Sequence, residues 1–189
     1  MATTYSRRNF LKVSALSGGG MLISFSLLNL QVEAKPLEEM VFAPNAYIKI
    51  GADGTIVLLS PNPEIGQGVK TSLPMIIAEE LGVDWKKIQV ELAPLHSQMG
   101  RQTAGGSGSV RGRFTELRTV GATAREMLTT AAAQQWNVPV TECTVENGEV
   151  IHKASGKKLS YASLASAAAK LEVPAKPTLK DAKEFKLIG

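Results

Sequence analysis

Between residues 46 and 60 the apolar positions fall into two short β-branched runs, AYIKI and TIVLLS, on either side of the turn sequence GADG. That spacing predicts a hairpin. The period then changes. KTSLPMIIAEELG predicts a helix, with Pro74 confined to its first turn and Gly82 just past its end. KIQVELA predicts the next strand. After a long polar stretch, Phe114, Leu117, Val120, Ala124, Met127 and Ala131 recur at spacings of three and four. They predict a long amphipathic helix from Arg113 to Trp136. Gly121, Ala122 and Ala124 leave it slim on one side, which permits close packing. CTVENGEVIHK predicts a second hairpin with Asn147-Gly148 at its tip, and Ser160 caps a short helix reaching Leu171. Residues 35–45, KPLEEMVFAPN, carry two prolines and no period, and read as a linker. Residues 176–189 are rich in Lys and read as extended. There is no internal repeat. The sum is an α+β chain with a mixed sheet and helices laid on it.

Composition narrows the class. The 189 residues suffice for one domain of ordinary size, with 44% hydrophobic and 20% charged residues. Net charge is +4, and Arg7, Arg8 and Lys12 near the start account for much of it. The remaining body is close to neutral, which argues against a nucleic-acid reader. Aromatic residues are 5%, too sparse for a stacking platform. The single cysteine, Cys143, cannot form an internal disulfide, so the fold rests on its core. Cys143 alternates with Val145 and reads as a small core residue rather than a nucleophile. His96 reads as a solvated loop residue and His152 as a surface residue on a hairpin strand. Glu79 and Glu80 end a helix face and suggest no chemistry. Trp85 and Trp136 read as core or interface anchors. No His, Cys, Asp or Glu cluster has metal-ligand spacing.

The first 34 residues read as an address. SRRNFLKV is followed by the apolar SALSGGGMLISFSLLNL and the small-residue end QVEA. A basic start, an apolar middle and a small-residue end make a signal segment. Arg7-Arg8 with Phe10, Leu11 and Lys12 behind them is the twin-arginine pattern of bacterial export. Three glycines and four serines within the apolar stretch argue against a stable membrane span.

Two glycine-rich loops stand out. EIGQG follows the strand ending at Ser60, and AGGSGSVRG follows the strand ending at Ala93. Both precede a helix, whose N-terminus offers unpaired N–H groups and a positive dipole end. Glycines let backbone approach a ligand closely, and Ser107 and Ser109 add hydroxyls. Arg101, Arg111 and Arg113 place charge around the second loop. The chemistry suggested is an anionic, phosphate-bearing ligand with a polar edge for Gln67 to read; a pair of tight turns is the alternative. Neither loop has GxGxxG spacing or the GKS/T of a P-loop. Glu64, beside the first loop, reads as a solvated carboxylate rather than a general base.

EIGQGVKTSLPMIIAEEL followed by GGSGS resembles the large, molybdenum-binding subunit of the xanthine dehydrogenase and aldehyde oxidase family, and within it the isoquinoline 1-oxidoreductase β-subunit group. The resemblance extends over essentially the whole chain. It implies that Ile65, Gly66 and Gln67 touch the molybdopterin part of the cofactor, the glutamine amide near an oxygen on the metal. It implies that Gly106, Ser107, Gly108 and Ser109 wrap the phosphates of molybdopterin cytosine dinucleotide. Residues 46–175 would then be a molybdopterin-binding segment and 176–189 the lead-in to a missing C-terminal domain. An exposed apolar docking face is expected on the helix from Arg113 to Trp136. The family's catalytic base lies far downstream, so a fragment of this length is expected to be inactive alone and no catalytic residue is assigned. The implied partners are a 2Fe–2S iron–sulfur subunit, the missing domains, and a cytochrome c as electron acceptor. The implied location is the periplasm or the periplasmic face of the inner membrane. A small exported, non-enzymatic partner-binding domain is the alternative reading.

Overall fold

The computed structural model describes residues 40–45, 47–96 and 99–188. Residues 1–34, with Arg7 and Arg8, lie outside the described residues. Strand β2 (Ile48–Gly51) turns back into β3 (Ile56–Ser60) as an antiparallel pair, Ile48 opposite Leu58. The turn is held by Asp53, whose carboxylate accepts from the Thr55 N–H and hydroxyl at 2.9 and 2.8 Å. All five residues of β3 are buried, because sheet neighbours flank it and helices cover it. Strand β4 (Ile88–Leu92) lies parallel to β3 with Ile56 opposite Ile88 and Ser60 opposite Leu92. A parallel neighbour needs a crossover, which helix α1 (Val69–Leu81) supplies. The stretch read as a linker instead carries a strand, β1 (Met40–Asn45), antiparallel to β2 on the sheet edge. The first sheet is therefore mixed, in the order β1-β2-β3-β4.

Pro74 is not in the first turn of α1. The helix starts at Val69, so Pro74 is its sixth residue and removes an interior hydrogen bond. Gly82 closes the helix in the left-handed conformation, its N–H on the Ala78 carbonyl at 2.9 Å. Helix α2 (Ser109–Trp136) runs against α1. It begins four residues earlier than the apolar period predicts. The expected exposed apolar face on α2 is not there. Leu117, Ala124, Met127, Leu128 and Ala131 are buried, and Phe114, Val120 and Trp136 pack on the same core. The helices approach closely at Gly121, where a Cβ would stand 2.5 Å from the Ile77 carbonyl oxygen.

The second sheet is antiparallel: β5 (Cys143–Glu146), β6 (Glu149–His152) and β7 (Lys158–Ser160), a strand the sequence reading lacks. Asn147 and Gly148 both have positive φ, as a two-residue hairpin turn requires. Ser160 caps α3 (Tyr161–Ala168) by accepting from the Ser163 N–H at 3.2 Å. The helix ends at Ala168, short of Leu171. The Tyr161 hydroxyl donates to the Leu81 carbonyl at 2.6 Å, tying α3 to the end of α1. Residues 176–188 form no strand or helix apart from a single 3-10 turn, Ala182–Glu184, and touch α1 and α2 through Lys180.

Candidate functional site

Because β3 and β4 are parallel and end in register, the loops after them, 61–68 and 93–108, leave the sheet at the same end. In open α/β sheets this carboxyl end of the strands is where ligands collect. The first loop is closed by its own side chains. Glu64 accepts from the N–H groups of Gly66 (2.7 Å), Gly68 (3.0 Å) and Lys70 (2.9 Å). The Lys70 and Gly68 N–H groups, with Gly66 behind them, hold its carboxyl below the usual range. Glu64 is thus a loop anchor, not a free solvated carboxylate. Gln67 folds back as well: its amide donates to the Pro63 carbonyl at 2.9 Å and accepts from the Ile65 N–H at 2.6 Å. One amide N–H of Gln67 has no partner among the described residues. Ile65 is 73% exposed.

The second loop hangs on Arg113. Sequence spacing puts this arginine among the charges offered to a ligand, yet it is 7% exposed. Its guanidinium donates to the Met99 and Arg101 carbonyls at 2.6 and 2.8 Å, to Asn62 Oδ1 at 3.3 Å, to the Tyr47 hydroxyl at 3.3 Å and to Glu116 at 2.9 Å. Every N–H is used. Asn62 of the first loop also donates to the Thr103 carbonyl at 2.7 Å and Ser109 Oγ at 3.4 Å. Asn62 and Arg113 therefore lock the two loops to each other. Burial and the Glu116 carboxylate push the Tyr47 hydroxyl up to about 12, with Arg113 opposing, so it stays a donor.

A cleft of about 570 Å³ opens over the second loop, lined in part by Asn62, Arg101, Gly105, Gly108, Ser109 and Gly112. Ile65, Gly66 and Gln67 lie at the same end of the sheet but do not line it. No side chain caps α2. The N–H groups of Gly106, Ser107, Ser109 and Val110 have no partner among the described residues. Arg101 and Arg111 are exposed, and Ser107 adopts a left-handed φ of 52°. Gly105 and Gly112 have neither a positive φ nor any atom within 4 Å of an added Cβ. Neither backbone conformation nor internal packing calls for glycine there, and within α2 Gly112 is a local destabiliser. A Cβ at either position would project into open space beside the cleft. N–H donors without a partner among the described residues, exposed guanidinium groups and a surface bare of Cβ atoms can receive a phosphate group.

Elsewhere, one sequence expectation changes. His152 is buried rather than at the surface, its ring nitrogens on Ser155 Oγ (2.7 Å) and Glu142 Oε2 (2.9 Å). Glu79 and Glu80 are also buried, with polar partners on α2 and on residues 176–188. Cys143 and Val145 do share a half-buried strand face. Burial and Glu142 raise the Cys143 thiol, which suits packing rather than nucleophilic attack. Among the described residues no group of three His, Cys, Asp or Glu could hold a metal ion. Asn62, Glu64 and the buried role of Arg113 were the residues sequence reasoning missed. The one available signal was PNPE, an Asn and a Glu among prolines directly before the glycines.

Residues 10–187 match the family model described as "Molybdopterin cofactor-binding domain". The chain belongs to this family: it is a molybdopterin-binding domain of the molybdenum hydroxylases. It is 34% identical over 139 residues to the isoquinoline 1-oxidoreductase subunit beta of Brevundimonas diminuta, covering 70% of this chain and 17% of that protein. It is 31% identical over 194 residues to a membrane-bound aldehyde dehydrogenase (pyrroloquinoline-quinone) of Gluconacetobacter polyoxogenes, covering 97% of this chain and 25% of that protein. The fold is similar to that of CO dehydrogenase from Oligotropha carboxidovorans, with a TM-score of 0.50 and 22% identity over 64% of this chain and 15% of the other. The chain spans a quarter or less of the length of these relatives.

Proposed function

We propose that this chain forms the part of a molybdenum hydroxylase cradle in which two glycine loops grip one cofactor from adjacent strands. The carrying observation is the Asn62–Arg113 lock, which makes the loops after β3 and β4 a single unit. In this reading Ile65, Gly66 and Gln67 meet the pterin, and the remaining amide N–H of Gln67 is the donor for a polar atom near the metal. Gly106, Ser107, Gly108 and Ser109 receive the phosphates of a cytosine dinucleotide form, with Arg101 and Arg111 as counter-charge. When bound, the cofactor supplies a two-electron oxidation in which water provides the oxygen; the chain's part is to bind and orient it. The whole protein then oxidises an N-heteroaromatic or an aldehyde and passes electrons to a 2Fe–2S subunit and onward to a cytochrome c. The isoquinoline oxidoreductase relative supports the first substrate class and the aldehyde dehydrogenase relative the second.

The decisive test is metal and nucleotide content. In a full-length protein carrying this domain, Gly105→Val should abolish bound molybdenum and acid-released CMP while circular dichroism is unchanged. Retention of both would overturn the reading. We further propose export by the twin-arginine route to the periplasm, supported by SRRNFLK. Arg7→Lys with Arg8→Lys should stop translocation of a folded reporter fused behind the segment, and parental periplasmic levels would refute it.

A further inference from the structure

The two loops look alike in sequence but offer opposite electrostatics. At the first, the seat an anion would take at the start of α1 is filled by the chain itself. Glu64 Oε1 receives the Gly66 and Gly68 N–H groups and Oε2 receives the Lys70 N–H. Those are the donors a bound phosphate would use. A second negative group there would lose them and meet the carboxylate's charge. At the second loop no carboxylate among the described residues plays this part. Glu116, the acidic residue beside it, is engaged by Arg113 and by the Tyr47 hydroxyl. The N–H groups of Gly106, Ser107, Ser109 and Val110 have no partner among the described residues.

We propose that Glu64 is the positioning and specificity-determining residue of this cradle: it plugs the anion seat of the first loop, fixes the frame around Gln67, and leaves the second loop as the sole phosphate receiver. The proposal rests on the reading that the loops hold a phosphate-bearing cofactor. It gives the ligand a direction, because phosphates are turned away from the Gln67 side and drawn to the Ser109 side. It also accounts for the folded-back Gln67 amide. With Gly66 and Gly68 held by Glu64, Pro63 and Ile65 stay where the amide needs them, and one N–H is left to point at a ligand atom.

The test uses backbone-amide NMR of the 189-residue chain with inorganic pyrophosphate as probe. In the parent, pyrophosphate should shift the amides of Ser107 to Arg111 and leave Gly66, Gly68 and Lys70 unmoved. Glu64→Ala should speed exchange of those three amides about tenfold, as loss of a charge-assisted hydrogen bond requires. It should also make them respond to pyrophosphate, a gain that a merely structural role would not produce. Glu64→Gln, with one neutral acceptor left, should give intermediate exchange and a weaker response. The role of Glu64 fails if the first-loop amides already shift in the parent. It fails equally if they stay silent in both variants while the second loop responds. A silent second loop in the parent would overturn the cofactor reading and this proposal together.

Discussion

Glu79 and Glu80 are neighbours in α1 with different obligations. Glu80 is fully buried and holds Arg118 at 2.7 Å and Arg125 at 2.9 Å, both from α2, plus the Lys180 N–H at 3.1 Å. Removing the carboxylate would strand two guanidinium groups, so Glu80→Ala should cost about 3–5 kcal/mol, read from urea unfolding. Among the described residues, the Glu79 carboxylate is satisfied by residues 180–188: the Lys180 amine at 3.1 Å and the N–H groups of Lys186, Leu187 and Ile188 at 2.9, 2.6 and 3.2 Å. Burial pushes its carboxyl up, but the Leu187 N–H, the Lys180 amine and the other two N–H groups outweigh it and hold it below the usual range. The sign follows. A carboxyl lowered on folding adds stability above its unfolded value, about 4.3, and loses it as pH falls through the folded value. The urea midpoint should drop between roughly pH 5 and pH 3. Glu79→Gln should flatten that drop; an unchanged slope would show that other carboxylates carry it. None of this was legible in the sequence, where Glu-Glu at the end of a helix face suggests no chemistry and names no partner. Its partners are backbone N–H groups a hundred residues away, which no residue type encodes. Glu64 and Arg113 were obscured for the same reason, whereas Gly66, Gly68 and Gly106 were visible because few residues tolerate their positive φ.

Within α2, two glycines nine residues apart serve opposite ends. A Cβ at Gly121 would meet the Ile77 carbonyl at 2.5 Å and Glu80 Cβ at 2.8 Å, so the close approach of α1 and α2 demands its absence. Gly121→Ala should destabilise by about 1–3 kcal/mol despite the gain in helix propensity. Gly112 has no such neighbour. Gly112→Ala should stabilise the cofactor-free chain by about 0.5–1 kcal/mol and, in the full-length protein, lower molybdenum content. Differential scanning calorimetry of the two variants, side by side, checks the pair; a Gly112→Ala that loses stability would mean the fold itself needs that glycine. Hairpins and long helices were readable from period and turn residues. Strand β1 was not, since Pro36 and Pro44 in its neighbourhood suppress the signal. The structure shows why a proline can stand there: β1 is an edge strand with irregular register against β2. Pro74 misled in the other direction, because packing of α1 on the core holds a helix that propensity alone would start later.

At the scale of the whole molecule, four of the six exposed large apolar side chains among the described residues, Ile65, Leu92, Leu95 and Val110, lie in or next to the loops after β3 and β4. Val140 and Val173 lie elsewhere, and α2 buries most of its own stripe. Sequence periodicity could place the stripe on α2 but not say which elements would cover it. Residues 178–188 supply part of that cover. Thr178 is held by Arg125 through its carbonyl and by Glu126 through its N–H at 2.6 Å; the Lys180 carbonyl accepts from Arg118 at 2.6 Å; and the Phe185 ring lies 5.0 Å from the Arg118 guanidinium carbon. This clasp sets an order of events during synthesis. Until residues 180–188 leave the ribosome, the partners that the Glu79 carboxylate has among the described residues are absent, and burying its charge is unfavourable. Chains arrested with that stretch still in the exit tunnel should remain open to protease and become resistant only once it emerges. Resistance at the earlier arrest point would show that the body of the domain closes before its clasp arrives.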